Sequence, residues 1–268
     1  MTGDRRTLRG PQLYTQSDRE AAGRAASFAR SILDALLVCC RPGALPTDIE
    51  SNCAGFIGSE GARAMMAGVL NGHGEPFGSA CSVSVDDVVA HARPTDKPLR
   101  AGQLVTLDLM LELNGWHADV ADTVVVGEQQ HALMPALDAV WDAAIAKIAP
   151  GVRWDRVAEA MANAASVHGA QLVCGLAGHG IGLAPHELPI LPLTPDPGEP
   201  VPTLRPGMIL TLEPAITSGS GETIDSEDGW ALRTADGTPS VGREAMIAIE
   251  EDGFRVLGGP SPDDSLNA

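Results

Sequence analysis

Through residues 18–40 the apolar positions Ala22, Ala25, Ala29, Ile32 and Leu36 recur every three or four residues, a spacing that predicts a helix ending at Pro42-Gly43. A second helix is expected over residues 47–61, with Thr47 and Glu50 as a capping box. The same grammar returns later. Residues 131–149 are helix-periodic, Pro150-Gly151 breaks them, and residues 155–168 form another helix. Between these lie apolar runs that read as strands, at residues 80–85, 104–113, 121–126, 208–216 and 245–249, with turn signals at Asn114-Gly115 and Asp236-Gly237. The proline-rich stretch 188–206 reads as an ordered loop.

The recurrence is more than a rhythm. Residues 99–108 read LRAGQLVTLD and residues 204–213 read LRPGMILTLE, identical at five of ten positions and each ending on a carboxylate. These phrases lie 105 residues apart and the two Pro-Gly breaks 108 apart, so one offset serves both. An internal duplication follows, each half a helix pair followed by strands. It implies an α+β fold with pseudo-twofold symmetry. One domain is expected over residues 17–255, with halves 17–128 and 129–255, an N-terminal extension 1–16 and a tail 256–268.

Charge and cysteine content narrow the class. The 35 acidic and 18 basic residues give a net charge of -17, which argues against a nucleic-acid partner or an anionic membrane surface. The first residues lack the apolar core of a signal peptide and no run is long enough to span a bilayer, so a cytoplasmic protein is expected. Five cysteines, none in a C-x-x-C pair, suggest buried thiols rather than disulfides or a zinc finger.

Asp108 and Glu213 end the two repeated phrases, and packing about a pseudo-dyad would bring them together. Asp119 follows Asp108 across the Asn114-Gly115 turn, so these two acids are expected to face each other on paired strands. Acids so placed in an apolar sheet need a cation. GHGIGLAPHE supplies His179 and His186, and Glu244 opens the strand EAMIAI. The glycines do not make a dinucleotide site, because Pro185 and the prolines beyond it forbid the helix such a site requires. Asp108, Asp119, His179, Glu213 and Glu244 are too rich in oxygen for a structural zinc site and suit two oxygen-preferring ions instead. Such a pair activates water for hydrolysis. His117, beside Asp119, is expected to point away from it, and Cys81, one step from Ser82, is given no role.

At DDVVAHARP, LVTLDLMLELNGWHADVADTVVVG, GHGIGLAPHE, GMILTLEP and REAMIAIEEDG, the chain resembles the type I methionine aminopeptidases, dimetal peptidases of the pita-bread fold, over about residues 17–253. The resemblance implies that His179 and Glu213 hold one ion, Asp108 the other, and that Asp119 and Glu244 bridge both. It further implies a hydroxide between the ions, Glu213 as general base, His186 at the oxyanion and His91 at the substrate amide. The implied ions are Mn, Fe or Co, with Zn or Ni also accommodated. The implied substrate is a peptide or small amide with a free N-terminus, its first residue methionine, and the implied state a monomer.

Three departures accompany the resemblance. The family's side-chain pocket usually has a cysteine at Ser82, tyrosines near residues 72–79 and an aromatic at Pro185; Phe77 and Trp230 remain as aromatic walls. Ala245-Met246 stands where His-Thr is usual. Residues 215–230 carry Glu222, Asp225, Glu227 and Asp228 where bacterial relatives are lysine-rich, so docking on a ribosome is not expected. The alternatives are a paralogous dimetal hydrolase of a specialised pathway and a non-catalytic binding module of the same fold.

Overall fold

The computed structural model describes residues 10–127, 130–195, 198 and 200–259. The first half contains α1 (Gln16–Leu37), α2 (Pro46–Ser59), β1 (Arg63–Ala64), β2 (Ser82–Val85), β3 (Val88–Ala90), β4 (Leu104–Leu113) and β5 (Trp116–Val125). The second contains α3 (Leu133–Ile145), α4 (Trp154–Val167), β6 (Gln171–Leu172), β7 (Ala177–Gly180), β8 (Glu187–Pro192), β9 (Ile209–Leu212), β10 (Ala215–Thr217), β11 (Thr223–Asp225), β12 (Leu232–Thr234), β13 (Ser240–Gly242), β14 (Ala245–Glu250) and β15 (Gly253–Leu257). The helix-pair-then-strands order recurs, and the fold is α+β. Of the expected terminal segments, residues 1–9 and 260–268 lie outside those described.

The hairpin β4–β5 is the spine of the first half. Asn114 and Gly115 take positive φ, 54° and 85°, as its two-residue turn requires. Side chains alternate across it. Val105, Leu107, Leu109 and Leu111 of β4 and Ala118 and Val120 of β5 pack into a core with α1 and α2. Their neighbours Thr106, Asp108, Met110, His117 and Asp119 therefore face the other way, toward the second half. There, β9 and β14 lie inside a five-stranded sheet ordered β15-β14-β9-β7-β8, with α3 and α4 enclosing a second core around Trp154, Leu210, Leu212 and Ile247.

The elements depart from the sequence pattern in instructive places. Proline at the first position of α2 moves the start of that helix ahead of Thr47, so the expected capping box is absent; the Thr47 hydroxyl donates to Asp96 and Glu50 accepts the backbone N–H of Ala80. A capping box does form at α1, between Thr15 and Asp18. The expected strand 208–216 is two strands in different sheets, because Pro214 cannot donate to a ladder. The proline-rich stretch is not wholly loop. It contributes β8, which tolerates Pro189 and Pro192 because it lies at a sheet edge, where the outward ladder is unused. Cys40, Cys53 and Cys81 are buried thiols, whereas Cys39 and Cys174 are only half-buried.

Candidate metal centre

The cluster is assembled by strands of both halves. Ser82 pairs with Asp108, Asp108 with Ala121, and Met110 with Asp119, so the two aspartates share a face one diagonal step apart. They are neighbours, offset rather than directly opposed. Glu213 follows β9, and Glu244 precedes β14. His179 lies on β7 and projects Nε2 to 3.9 Å from both Asp119 Oδ2 and Glu213 Oε1. Ligand atoms of Asp119, His179 and Glu244 lie within 4.8 Å of one another, and all three residues are buried. A cavity of about 60 Å³ adjoins them, lined among others by Asp108, Glu213, Glu244 and His91.

Hydrogen bonds orient two of the clustered side chains. Thr211, two residues before Glu213, donates its hydroxyl to Glu213 Oε1 at 2.7 Å and accepts the His179 backbone N–H at 2.9 Å. The His179 ring Nδ1 lies 2.9 Å from the Gly180 carbonyl, which leaves Nε2 for the cluster. Thr211 went unassigned in the sequence, although the repeat marks it: its counterpart Thr106 stands two residues before Asp108 and bonds Thr123 instead.

The electrostatics show what the arrangement lacks. Burial, followed by the charges of Asp108 and Glu213, pushes Asp119 well above the usual carboxylate range. Burial does the same to Glu244, reinforced by Asp119, Glu213 and Asp108. Glu213 is pushed up to about 8, chiefly by burial. Burial also raises Asp108, opposed by the nearby charge of His91, and lowers His179 to about 4. Asp119 Oδ1 and Glu244 Oε1 are buried with no hydrogen-bond partner. Unpaired buried acids of this kind are costly, and divalent cations with a taste for oxygen and one imidazole meet the need. The residues fit such ions.

The remaining expected site residues lie around this cluster. The rings of His186 and His179 are 4.5 Å apart, and burial lowers the pKa of His186. His91 is exposed and holds a left-handed backbone, φ 57°. Phe77 and Trp230 meet edge-on at 5.1 Å, joined by Met65, Met66 and Met110, three thioethers that the sequence reading left unassigned. Arg93 lies 5.6 Å from the centre of the Trp230 ring. Ser82 is fully buried beside Asp108, its hydroxyl 3.3 Å from that of Ser84. The acids near Trp230 are partly engaged: Asp228 Oδ1 accepts the backbone N–H groups of Trp230 and Ala231.

His117 corrects the sequence reading. Residues two apart on a strand share a face, so His117 lies on the same side as Asp119. It is buried, with Nδ1 3.1 Å from the Gly182 carbonyl. Cys81 packs into the first core, on the side away from the cluster.

A mixed sheet-and-helix frame closing on four carboxylates and an imidazole defines a hydrolytic metalloenzyme. The chain belongs to metallopeptidase family M24, whose sequence profile matches residues 19–252. It is 33% identical to methionine aminopeptidase of Treponema pallidum, over 86% of this chain and 89% of that one. It is also 33% identical to methionine aminopeptidase 1 of Mycobacterium tuberculosis, over 93% and 97% of the two chains. Its fold matches the crystal structure of methionine aminopeptidase from Rickettsia prowazekii with a TM-score of 0.84 and 29% identity, covering 92% of this chain and 99% of that one. The pita-bread architecture is shared, and the chain is a metal-dependent peptidase. No helix among the described residues is long and apolar enough to cross a membrane.

Proposed function

We propose that this protein is an aminopeptidase that removes N-terminal methionine from peptides, using two divalent ions, Mn, Fe or Co, held by Asp108, Asp119, His179, Glu213 and Glu244. The observation that carries the reading is the pair of partnerless buried oxygens on Asp119 and Glu244, next to His179. When bound, the ions would supply Lewis-acid activation of the scissile carbonyl and of water.

The chain's own groups do the rest. Glu213, steadied by Thr211, takes the proton released when water attacks and passes it to the departing amine. His186, neutral because burial disfavours its cation, donates a hydrogen bond to the carbonyl oxygen as charge builds there. His91 meets the substrate amide at the open side. Its left-handed backbone costs of order 1 kcal/mol, a strain that persists at functional positions. The box of Phe77, Trp230 and Met110 receives the first side chain, since a thioether packs well against aromatic edges.

Monomeric action in the cytoplasm, away from the ribosome, belongs to the same reading. The acidic run Glu222, Asp225, Glu227 and Asp228 supports it, because ribosomal RNA repels such a surface. Cosedimentation with ribosomes at low salt would contradict this part alone.

The decisive experiment loads the purified protein with Mn(II) or Co(II) and follows release of the first residue from Xaa-Ala-Ser peptides, with Glu213→Gln as control. Cleavage of Met-Ala-Ser, lost in the variant, is expected. Two bound ions without cleavage of any peptide would overturn the assignment.

A further inference from the structure

Tyr14 is the only tyrosine in the chain, and it lies before α1, inside the segment read as an N-terminal extension. It is nevertheless buried and joins the first core. Its backbone is fixed at both ends: the N–H donates to the Gly207 carbonyl at 2.7 Å, and its own carbonyl accepts from Arg19 Nη1 at 2.7 Å. The ring meets Trp116 edge-on at 5.3 Å.

The hydroxyl is where the chemistry lies. It accepts the Leu183 N–H at 3.1 Å and donates to the Glu187 carboxylate, 2.7 and 2.8 Å from its two oxygens. Glu187 Oε1 in turn accepts the Ala184 N–H at 2.9 Å. One phenol therefore ties both limbs of the turn 182–187, and His186 sits in that turn. The turn has cleared space for it, since a Cβ on Gly182 would lie 2.3 Å from the hydroxyl. Burial holds the phenol well above its usual pKa, so it remains a donor at any pH the enzyme meets.

We propose that Tyr14 is a positioning residue, whose hydroxyl locks the turn 182–187 and thereby aims His186 at the substrate carbonyl. The proposal rests on the reading of His186 as the group that steadies the oxyanion. It gives the segment before α1 a part in the reaction without contact with substrate. Small misplacements of a catalytic group are expensive, and freeing a turn by one buried hydrogen-bonding hydroxyl permits one.

Tyr14→Phe keeps the ring on Trp116 and removes only the hydroxyl. With ions saturating and Met-Ala-Ser as substrate, kcat is expected to fall about tenfold while KM stays within about twofold. Amide exchange at Leu183 and Ala184 should accelerate. On a His186→Gln background the same change should cost less than about twofold, because the hydroxyl acts through that imidazole. Glu187→Gln, which leaves the tyrosine in place, is the second variant should Tyr14→Phe fold poorly, with an expected loss of about threefold. An unchanged kcat in Tyr14→Phe beside a damaged His186→Gln enzyme overturns the proposal alone, as does an equal loss in both backgrounds. A His186→Gln enzyme with full activity overturns the reading of His186 and the proposal with it.

Discussion

Ala121 and Glu244 exchange backbone hydrogen bonds, Glu244 N–H to the Ala121 carbonyl at 2.7 Å and Ala121 N–H to the Glu244 carbonyl at 3.2 Å. This isolated bridge joins the strand that carries Asp119 to the residue that supplies Glu244. The spacing of the two acids is thus set by main chain, independently of their charge. A rigid site of this kind gains stability when a cation arrives.

Each ion at about one hundred times its dissociation constant should therefore add about 2.7 kcal/mol to folding. For a chain of this length the melting temperature should rise by roughly 5 to 10 °C per ion, and a chelator should reverse it. Scanning calorimetry of the ion-free and Mn(II)-loaded protein checks this; coincident melts would mean the cluster binds nothing.

Glu213 gives the ion-free protein an unusual pH dependence. Its folded pKa, about 8, lies above the unfolded 4.5, so the folded state holds the extra proton and stability falls as pH rises through about 8. His179 acts in the opposite sense at lower pH. Its folded value near 4 lies below 6.5, so its contribution is lost as pH falls from 6.5 toward 4. Urea midpoints of ion-free protein should accordingly decline from about pH 6.5 to 9, and bound ions should abolish the decline. A flat apoprotein profile would contradict the electrostatics described for the cluster.

Asp122 is buried between two arginines, 3.0 Å from Arg30 Nη1 and 3.2 Å from Arg243 Nε, and Arg243 also reaches Asp138 at 2.9 Å. The group ties α1, β5, the residue before Glu244 and α3 together. Asp122→Asn leaves Arg30 with Asp34, 2.7 Å away, and Arg243 with Asp138, and removes the charged acceptor they share, at an expected cost of about 1.5 to 3 kcal/mol. Chemical denaturation with ions saturating measures it. A change below about 1 kcal/mol would show that Asp34 and Asp138 suffice to neutralise the arginines.

Trp230→Ala opens the apolar box without touching a ligand of the cluster. Discrimination worth about 1 to 3 kcal/mol should go, lowering kcat/KM for Met-Ala-Ser by about ten- to a hundredfold, mostly through KM. Ion affinity, followed by titration calorimetry, should be unaltered. A variant with wild-type kcat/KM would remove the box from the substrate's path.

Period and repetition made most of the frame legible. The apolar runs marked out β4 and β14, and the repeated phrases ending VTLD and LTLE located two acids more than a hundred residues apart. What escaped was set by tertiary position. Pro189 and Pro192 look like strand breakers until β8 proves to be an edge. Pro214 separates two strands because their partners differ, which a continuous apolar run conceals. Thr211 offered a signal, its place in the repeat, whereas Tyr14 offered none: its partner Glu187 stands 173 residues away. The misreading of His117 was an error of period, and strand geometry alone corrects it.

Asp108 and Asp119 belong to the first half of the chain, His179, Glu213 and Glu244 to the second. During synthesis the two early acids are made long before the residues that complete their surroundings, and the five groups proposed to hold the ions come together only when Glu244 has docked on Ala121. On the proposed ligand set, a cation can therefore stabilise only the finished chain, and a half-made one gains nothing from it.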